Sequence, residues 1–499
     1  MTATQSPTPA GPTLALALAA SMAVLAALAG EAAAAIPASE RQALLDLYAS
    51  TAGTGWTNTA NWNGPAGTEC TWFGVTCSSG QSSVQELRLG SNNLTGTLPA
   101  SLGNLANLQF ITVWLNHLTG PIPRELGSLT GLANLDLSNN QLTGSIPSEL
   151  GGLANLSGLI LSANQLTGPI PASLGNLGQL GSLHLETNQL TGSIPVELGN
   201  LTQLRHLWLA TNPLSGPIPG QLGNLINLQD LVLAFDQLTG PIPGSLGSLA
   251  NLQTLSLANN QLTGSIPGEL GNLTNLYYVY LQSNRLTGLI PASLGNLAHL
   301  VNLWLYSNQL SGPIPAALGN LANLRQLVLS SNQLMGVVPS ELTHLTKLSA
   351  RGSDFRWNGL YSSDPAVVAF LNGPQAGGDW QSTQTVPLTG LAVGAVTNSS
   401  VTLTWSPIAY TGDTGGYQVF SAMTPGGPYA LATTTADKTT GAATITDLAP
   451  GTPYTFNVRS VTDPHAKNQS TLVSEPSGEV SATTLGHRVK LRRHLKRAS

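Results

Sequence analysis

Residues Leu132 to Asn155 read LANLDLSNNQLTGSIPSELGGLAN, and seven of these side chains, Leu132, Leu135, Leu137, Leu142, Ile146, Leu150 and Leu153, are large and aliphatic. The pattern recurs every 24 residues, opening at Val84, Leu108, Leu132, Leu156, Leu180, Leu204, Leu228, Leu252, Leu276, Leu300 and Leu324, with Leu348 opening a remnant. Eleven units therefore fill residues 84–347. No single unit can bury so many apolar groups by itself. Stacked as turns of a coil, each unit covers its neighbour, the apolar interior runs along the stack, and both ends need caps.

Within a unit, Leu135 to Leu137 alternates in and out as a strand, and its equivalents should pair in parallel as an inner sheet. The asparagine at the ninth position, as in Asn140, Asn164 and Asn188, points inward where the strand ends. A buried amide must be satisfied, and this one can bond the backbone of adjacent turns as a ladder. The seventh repeat carries Asp236 instead. A carboxylate cannot donate, so the ladder should loosen there or Asp236 should turn outward. Gly144 suits a bend that a side chain would obstruct, and Pro147 fixes its backbone angle where no ladder donor is needed. The stretch Leu142 to Pro147, LTGSIP, resembles the plant-type subclass of leucine-rich repeats, and the resemblance covers Val84 to Lys347. It implies an α/β-type repeat solenoid, wound as a right-handed curved coil, that binds other proteins.

Upstream, Glu40 to Tyr48 has helical spacing and precedes Trp56, Trp62 and the segment Cys70-Thr-Trp-Phe-Gly-Val-Thr-Cys77, which holds both cysteines of the chain. In an exported protein such a close pair is expected to bridge. A zinc site would need two further ligands, and no histidine precedes His117. The segment resembles the N-terminal cap of the same repeat subclass. That resemblance implies a disulfide-braced cap over residues 36–83 whose Trp56, Trp62 and Trp72 cover the first coil rather than bind a ligand. Downstream, Asp364-Pro365, Ala366 to Leu371 and Gly373 carry the start and stop chemistry of a short closing helix, so residues 348–386 form a C-terminal cap and linker.

From Leu388 to Leu485 the chain changes to short β-rich runs, including Val401 to Trp405, Tyr417 to Phe420, Ala443 to Thr446 and Tyr454 to Val458, separated by Gly, Pro and Asp. About seven short strands in roughly a hundred residues point to an all-β, immunoglobulin-like sandwich. Trp405, the Tyr417 run and Leu448-Ala-Pro-Gly-Thr-Pro-Tyr454 together resemble a fibronectin type III domain, placed at residues 387–485, with Tyr454 at that family's corner position. The resemblance implies a spacer or adhesion module. The integrin-type Arg-Gly-Asp triplet is absent from the sequence.

The two ends differ from the body. Leu14 to Ala29 is an apolar run followed by small residues, which reads as a secretory signal over residues 1–35, although no Lys or Arg precedes it and an uncleaved anchor is the alternative. Either reading places the protein outside the cell, secreted or at the cell surface. Six of the eighteen basic side chains, Arg488, Lys490, Arg492, Arg493, Lys496 and Arg497, lie in the last twelve residues, leaving twelve basic against 23 acidic, a net charge of −11, elsewhere. An acidic body does not seek nucleic acid. The tail, residues 486–499, is either a solvated segment or an electrostatic attachment to an anionic surface.

Strand alternation sends the third, fifth and seventh residues of each repeat outward from the inner sheet. These positions hold Phe110 and Trp114 early, His184, Glu186, His206, Trp208 and Asp230 in the middle, and Tyr278, Tyr280, Trp304 and Tyr306 late. Strands about 4.8 Å apart should gather the last four rings into one patch, a composition suited to protein interfaces. The central polar group invites a metal or acid–base reading, but no nucleophile is paired with it. The chain also lacks a Gly-x-Ser-x-Gly elbow and a Gly-Lys-Ser/Thr phosphate loop. The expectation is a non-enzymatic binding protein without cofactor or metal, gripping an extracellular protein or peptide. A carbohydrate-associated role, binding a polysaccharide or inhibiting a secreted polysaccharide-degrading enzyme, is the alternative. Six Asn-x-Ser/Thr sequons occur, at Asn93, Asn155, Asn200, Asn272, Asn398 and Asn468.

Overall fold

The computed structural model describes residues 36–486, so the apolar N-terminal run and the basic tail lie outside it. The chain divides into two compact units at Thr167/Gly168.

The first unit opens with helix Ala38–Ser50, which packs Ala43, Leu44 and Leu47 inward. Trp56, Trp62 and Trp72 are all buried, in a run of ring contacts with Tyr48. Cys70 and Cys77 are bridged. Glu40, a buried carboxylate, accepts the Val84 N–H at 2.7 Å and so ties the helix to the first repeat. Strand Val75–Cys77 pairs antiparallel with Val84–Arg88, and Phe110–Thr112, Asn134–Asp136 and Gly158–Ile160 follow in parallel at a constant 24-residue register.

The second unit is built from the same repeat. Strands Ser182–His184, His206–Trp208, Asp230–Val232, Thr254–Ser256, Tyr278–Tyr280, Asn302–Trp304, Gln326–Val328 and Ser353–Asp354 form one parallel sheet. Each coil turns back through a five-residue 3-10 segment such as Gly220–Asn224 or Ala292–Asn296, preceded by an extended proline. Helices are absent from these returns because proline, glycine and only five residues leave room for a single tight turn. Short flanking strands form a second set of sheets that the repeat pattern did not announce, for example Gln237–Pro241 between Ser215–Pro217 and Gln261–Thr263.

The asparagine ladder is closed by hydrogen bonds of the kind seen at Asn284. Its Nδ2 donates to Leu257 O and Leu281 O, while its Oδ1 accepts the Leu262 N–H. Asp236 does not turn outward. It stays buried, with Oδ1 accepting the Asn212 N–H at 2.8 Å and Oδ2 unpartnered among the described residues. Burial pushes this carboxyl up to about 8, against the lowering effect of the Asn212 N–H. The ladder then outlasts the repeats. Asn358 and finally Gln384 supply further rungs, Gln384 accepting from Leu360 N and donating to Phe355 O and Trp380 O.

Helix Pro365–Asn372 is capped by Asp364, whose side chain accepts the Ala366 N–H. The chain then enters a two-sheet sandwich, with Thr389–Val396, Val401–Ser406 and Ala442–Ile445 in one sheet. Gly415–Ala422, Ala430–Thr434, Pro453–Thr462, Leu472–Val473 and Val480–Thr483 make the other. Its core gathers Trp405, Tyr417, Phe456 and Val458. Tyr454 accepts the Ala449 N–H at 3.0 Å, holding its corner. The sandwich is docked on the last coils rather than held away by a free linker. Asn468, 3% exposed, donates to Asn332 O and Trp357 O, both at 2.9 Å. Buried Thr385 and Thr462 share a hydroxyl bond, and Tyr361 bonds Glu475.

Candidate functional site

Three-residue strands leave only the side chains at two outward positions within regular pairing, so the face of the second unit is set by register. Tyr278 aligns with Asn302, and Tyr280 with Trp304. The rings of Tyr278 and Tyr280 stack at 6.1 Å, Tyr280 meets Trp304 edge-on at 4.9 Å, and Trp304 meets Tyr306 at 6.3 Å. Polar neighbours hold these rings in place. Asn302 Nδ2 donates to the Tyr280 hydroxyl at 3.0 Å, and Trp304 Nε1 donates to Gln326 Oε1 at 3.1 Å. Burial raises the Tyr306 hydroxyl above its usual range, which keeps it neutral. Tyr277 and His299 extend the run, their rings 5.8 Å apart.

Four strands away, the ring of His184 lies flat on Trp208, with centroids 4.3 Å apart and planes 11° from parallel. His206 Nδ1 and Asp230 Oδ2 are 2.7 Å apart, on adjacent strands in register. Glu186 follows His184 by two residues, so it sits diagonally across from Trp208. Among the described residues no group of three His, Cys, Asp or Glu side chains is placed to hold a metal ion. The His206–Asp230 pair orients one imidazole, with Ser182 and Thr254 in register on the flanking strands.

Between these clusters lies a floor that the aromatic reading overlooked. Ala210, Ala234 and Ala258, the seventh residues of three consecutive repeats, form a buried apolar cluster with Val232 and Tyr280 packed against it. The signal was in the sequence, as alanine replacing the larger seventh residues Glu186 on one side and Gln282 on the other. In strand order the alanines span the stretch from the Trp208 strand to the strand before Tyr280. Phe110 and Trp114 are not part of it. They belong to the first unit, where Arg88 covers Phe110 at 5.2 Å and the 41% exposed Trp114 lies over Gly90.

Comparison with known proteins bears on what such a face does. Residues 84–236 and 218–350 match the leucine-rich repeat region family, residues 37–78 the leucine-rich repeat N-terminal domain, and residues 386–475 the fibronectin type III domain. A probable leucine-rich repeat receptor-like protein kinase of Arabidopsis thaliana is 43% identical over 60 residues, which are 11% of this chain and 5% of that protein. Among solved structures, the plant peptide hormone receptor RGFR1 in complex with RGF2 is 35% identical with a TM-score of 0.57, covering 64% of this chain and 52% of that one. The Arabidopsis receptor kinase HAESA, in complex with the peptide hormone IDA and the co-receptor SERK1, is 34% identical with a TM-score of 0.57, covering 68% and 60%. The chain thus spans a twentieth of the curated relative and little more than half of these solved chains.

Proposed function

Because this chain belongs to the leucine-rich repeat family, matched over more than half its length, we propose that the strand-bearing face of its second unit binds an extracellular peptide, or an extended segment of a protein. One observation carries the reading: a contiguous run of half-exposed tyrosine and tryptophan rings borders a floor of three buried alanines. Large rings already held by Asn302 and Gln326 lose little freedom on binding and offer broad contact area, the usual makeup of an interface hot spot. The solved relatives that bind peptide hormones support the ligand class. A disulfide-braced cap suits an oxidising, extracellular setting, and among the described residues no helix is long and apolar enough to cross a membrane.

The test is capture from extracellular protein and glycan pools by the parent chain and by a Tyr280→Ala/Trp304→Ala double variant. A polypeptide retained by the parent and lost from the double variant supports the reading. A glycan as the retained species, or equal retention by both chains, overturns it.

A further inference from the structure

We infer that the ligand delivers a lysine or arginine side chain to Trp208, in the space flanked by Glu186 and Asp230; this rests on the peptide-binding reading above. The register places His184, Trp208 and Val232 side by side on three successive strands. His184 covers one face of the indole. On the other side Trp208 is in register with Val232, and Ser256 and Tyr280 follow at the same position of the next two strands, three strand spacings, about 14 Å, away.

Two carboxylates stand at opposite diagonals of this indole. Glu186 is two residues beyond His184 on the strand to one side, and Asp230 is two residues before Val232 on the strand to the other. Diagonal neighbours in a sheet lie roughly 7–8 Å apart, within reach of one long side chain resting on the ring. Asp230 is anchored at its edge by His206. Across the outward third, fifth and seventh positions from Ser182 to Ser330 there are these two carboxylates and neither lysine nor arginine. The two carboxylates at these positions therefore both stand beside Trp208. An anionic ligand group would gain nothing from these carboxylates, whereas a cation gains the indole face and Asp230, whose other oxygen is held by His206, together. A planar guanidinium can stack on the ring while its N–H fork meets Asp230, so arginine should be taken over lysine.

Panning a random displayed 12-residue peptide library on the full chain tests this directly. The parent should enrich peptides sharing one basic position, with arginine above lysine. Replacing that residue by glutamine in a selected peptide should weaken binding about tenfold or more, and raising salt from 50 to 500 mM should weaken it similarly. Asp230→Asn and Trp208→Ala should still enrich peptides but without the basic preference, and unchanged thermal unfolding of both variants separates this loss from misfolding. Parent-selected peptides that lack a basic position, yet disappear with Tyr280→Ala/Trp304→Ala, would overturn the inference while leaving the peptide-binding face standing. No enrichment, or the same peptides on that double variant, would overturn both.

Discussion

Asp236 is a single-atom defect in a repeated hydrogen-bond scheme. Asparagine at this rung donates to two carbonyls and accepts an N–H, whereas the carboxyl here accepts the Asn212 N–H and leaves Oδ2 without a partner. Burial penalises the charged form and pushes this carboxyl from 3.8 to about 8, and the proton it keeps gives Oδ2 a donor again. Between those pH values the folded chain keeps a proton that the unfolded chain has released, so stability falls as pH rises through this window. The slope is at most about 1.4 kcal/mol per pH unit. The contribution is full below the unfolded value and flat once pH exceeds the folded one. In urea unfolding, Asp236→Asn should therefore gain little at pH 4 and several kcal/mol at pH 8 relative to the parent. Equal differences at both pH values would show that the carboxyl stays charged. A second repeated cost lies one residue earlier, where the eighth position of the repeats adopts positive φ without glycine, as at Thr211 (φ 61°) and Phe235 (φ 60°). Left-handed backbone costs a side-chain-bearing residue about 1 kcal/mol or more, and Phe235 is 61% exposed. Phe235→Gly should raise the urea midpoint, by about 1 kcal/mol in free energy, with no core contact to lose.

At the scale of elements, the repeat made the inner strands legible because one apolar side chain per strand, such as Leu207 or Leu303, has to face inward at a fixed period. The cap was equally legible from Trp56, Trp62, Trp72 and the cysteine pair, since bulky rings and a short disulfide loop have few other uses. The flanking strands around Leu238 and Leu310 were not. Their register is imposed by neighbouring coils rather than by their own alternation, because glycine and proline interrupt it. The arrangement of the candidate site was half legible. Rings at the outward positions announce themselves, but Ala210, Ala234 and Ala258 act by being small, and smallness shows only once the strands are laid side by side. The terminal rung escaped notice because glutamine, not asparagine, fills it. Gln384→Ala would strip partners from the Leu360 N–H and from two carbonyls, and leaving buried groups unpaired costs about 1–3 kcal/mol. Chemical denaturation should show that loss, while Gln381→Ala, on the partly exposed preceding turn, should show far less.

At the scale of the whole molecule, the second unit joins two architectures through polar contacts. Asn468 lies within a sequon, yet it is buried and spends its amide on two backbone carbonyls of the coils. A glycan on that nitrogen is incompatible with the docked arrangement. Asn468→Ala should leave both folds intact but free the junction, and hydrogen exchange around Thr385 and Thr462 should accelerate roughly tenfold or more for a loss of about 1.5–3 kcal/mol. Unchanged exchange there would mean that the Thr385–Thr462 and Tyr361–Glu475 contacts suffice alone.

The extended amide ladder also decides how the molecule answers a pulling force. Each coil is held to the next by the same few bonds, so a load applied from the C-terminal side would peel coils one after another, as a zipper opens from its slider, once the last rung gave way. Gln384 is that last rung, and the sandwich, bonded to the next residue through Thr385 and Thr462, would take the load first. The docked module would then act as a latch: once it slipped, the coils beneath it would be free to unravel in sequence.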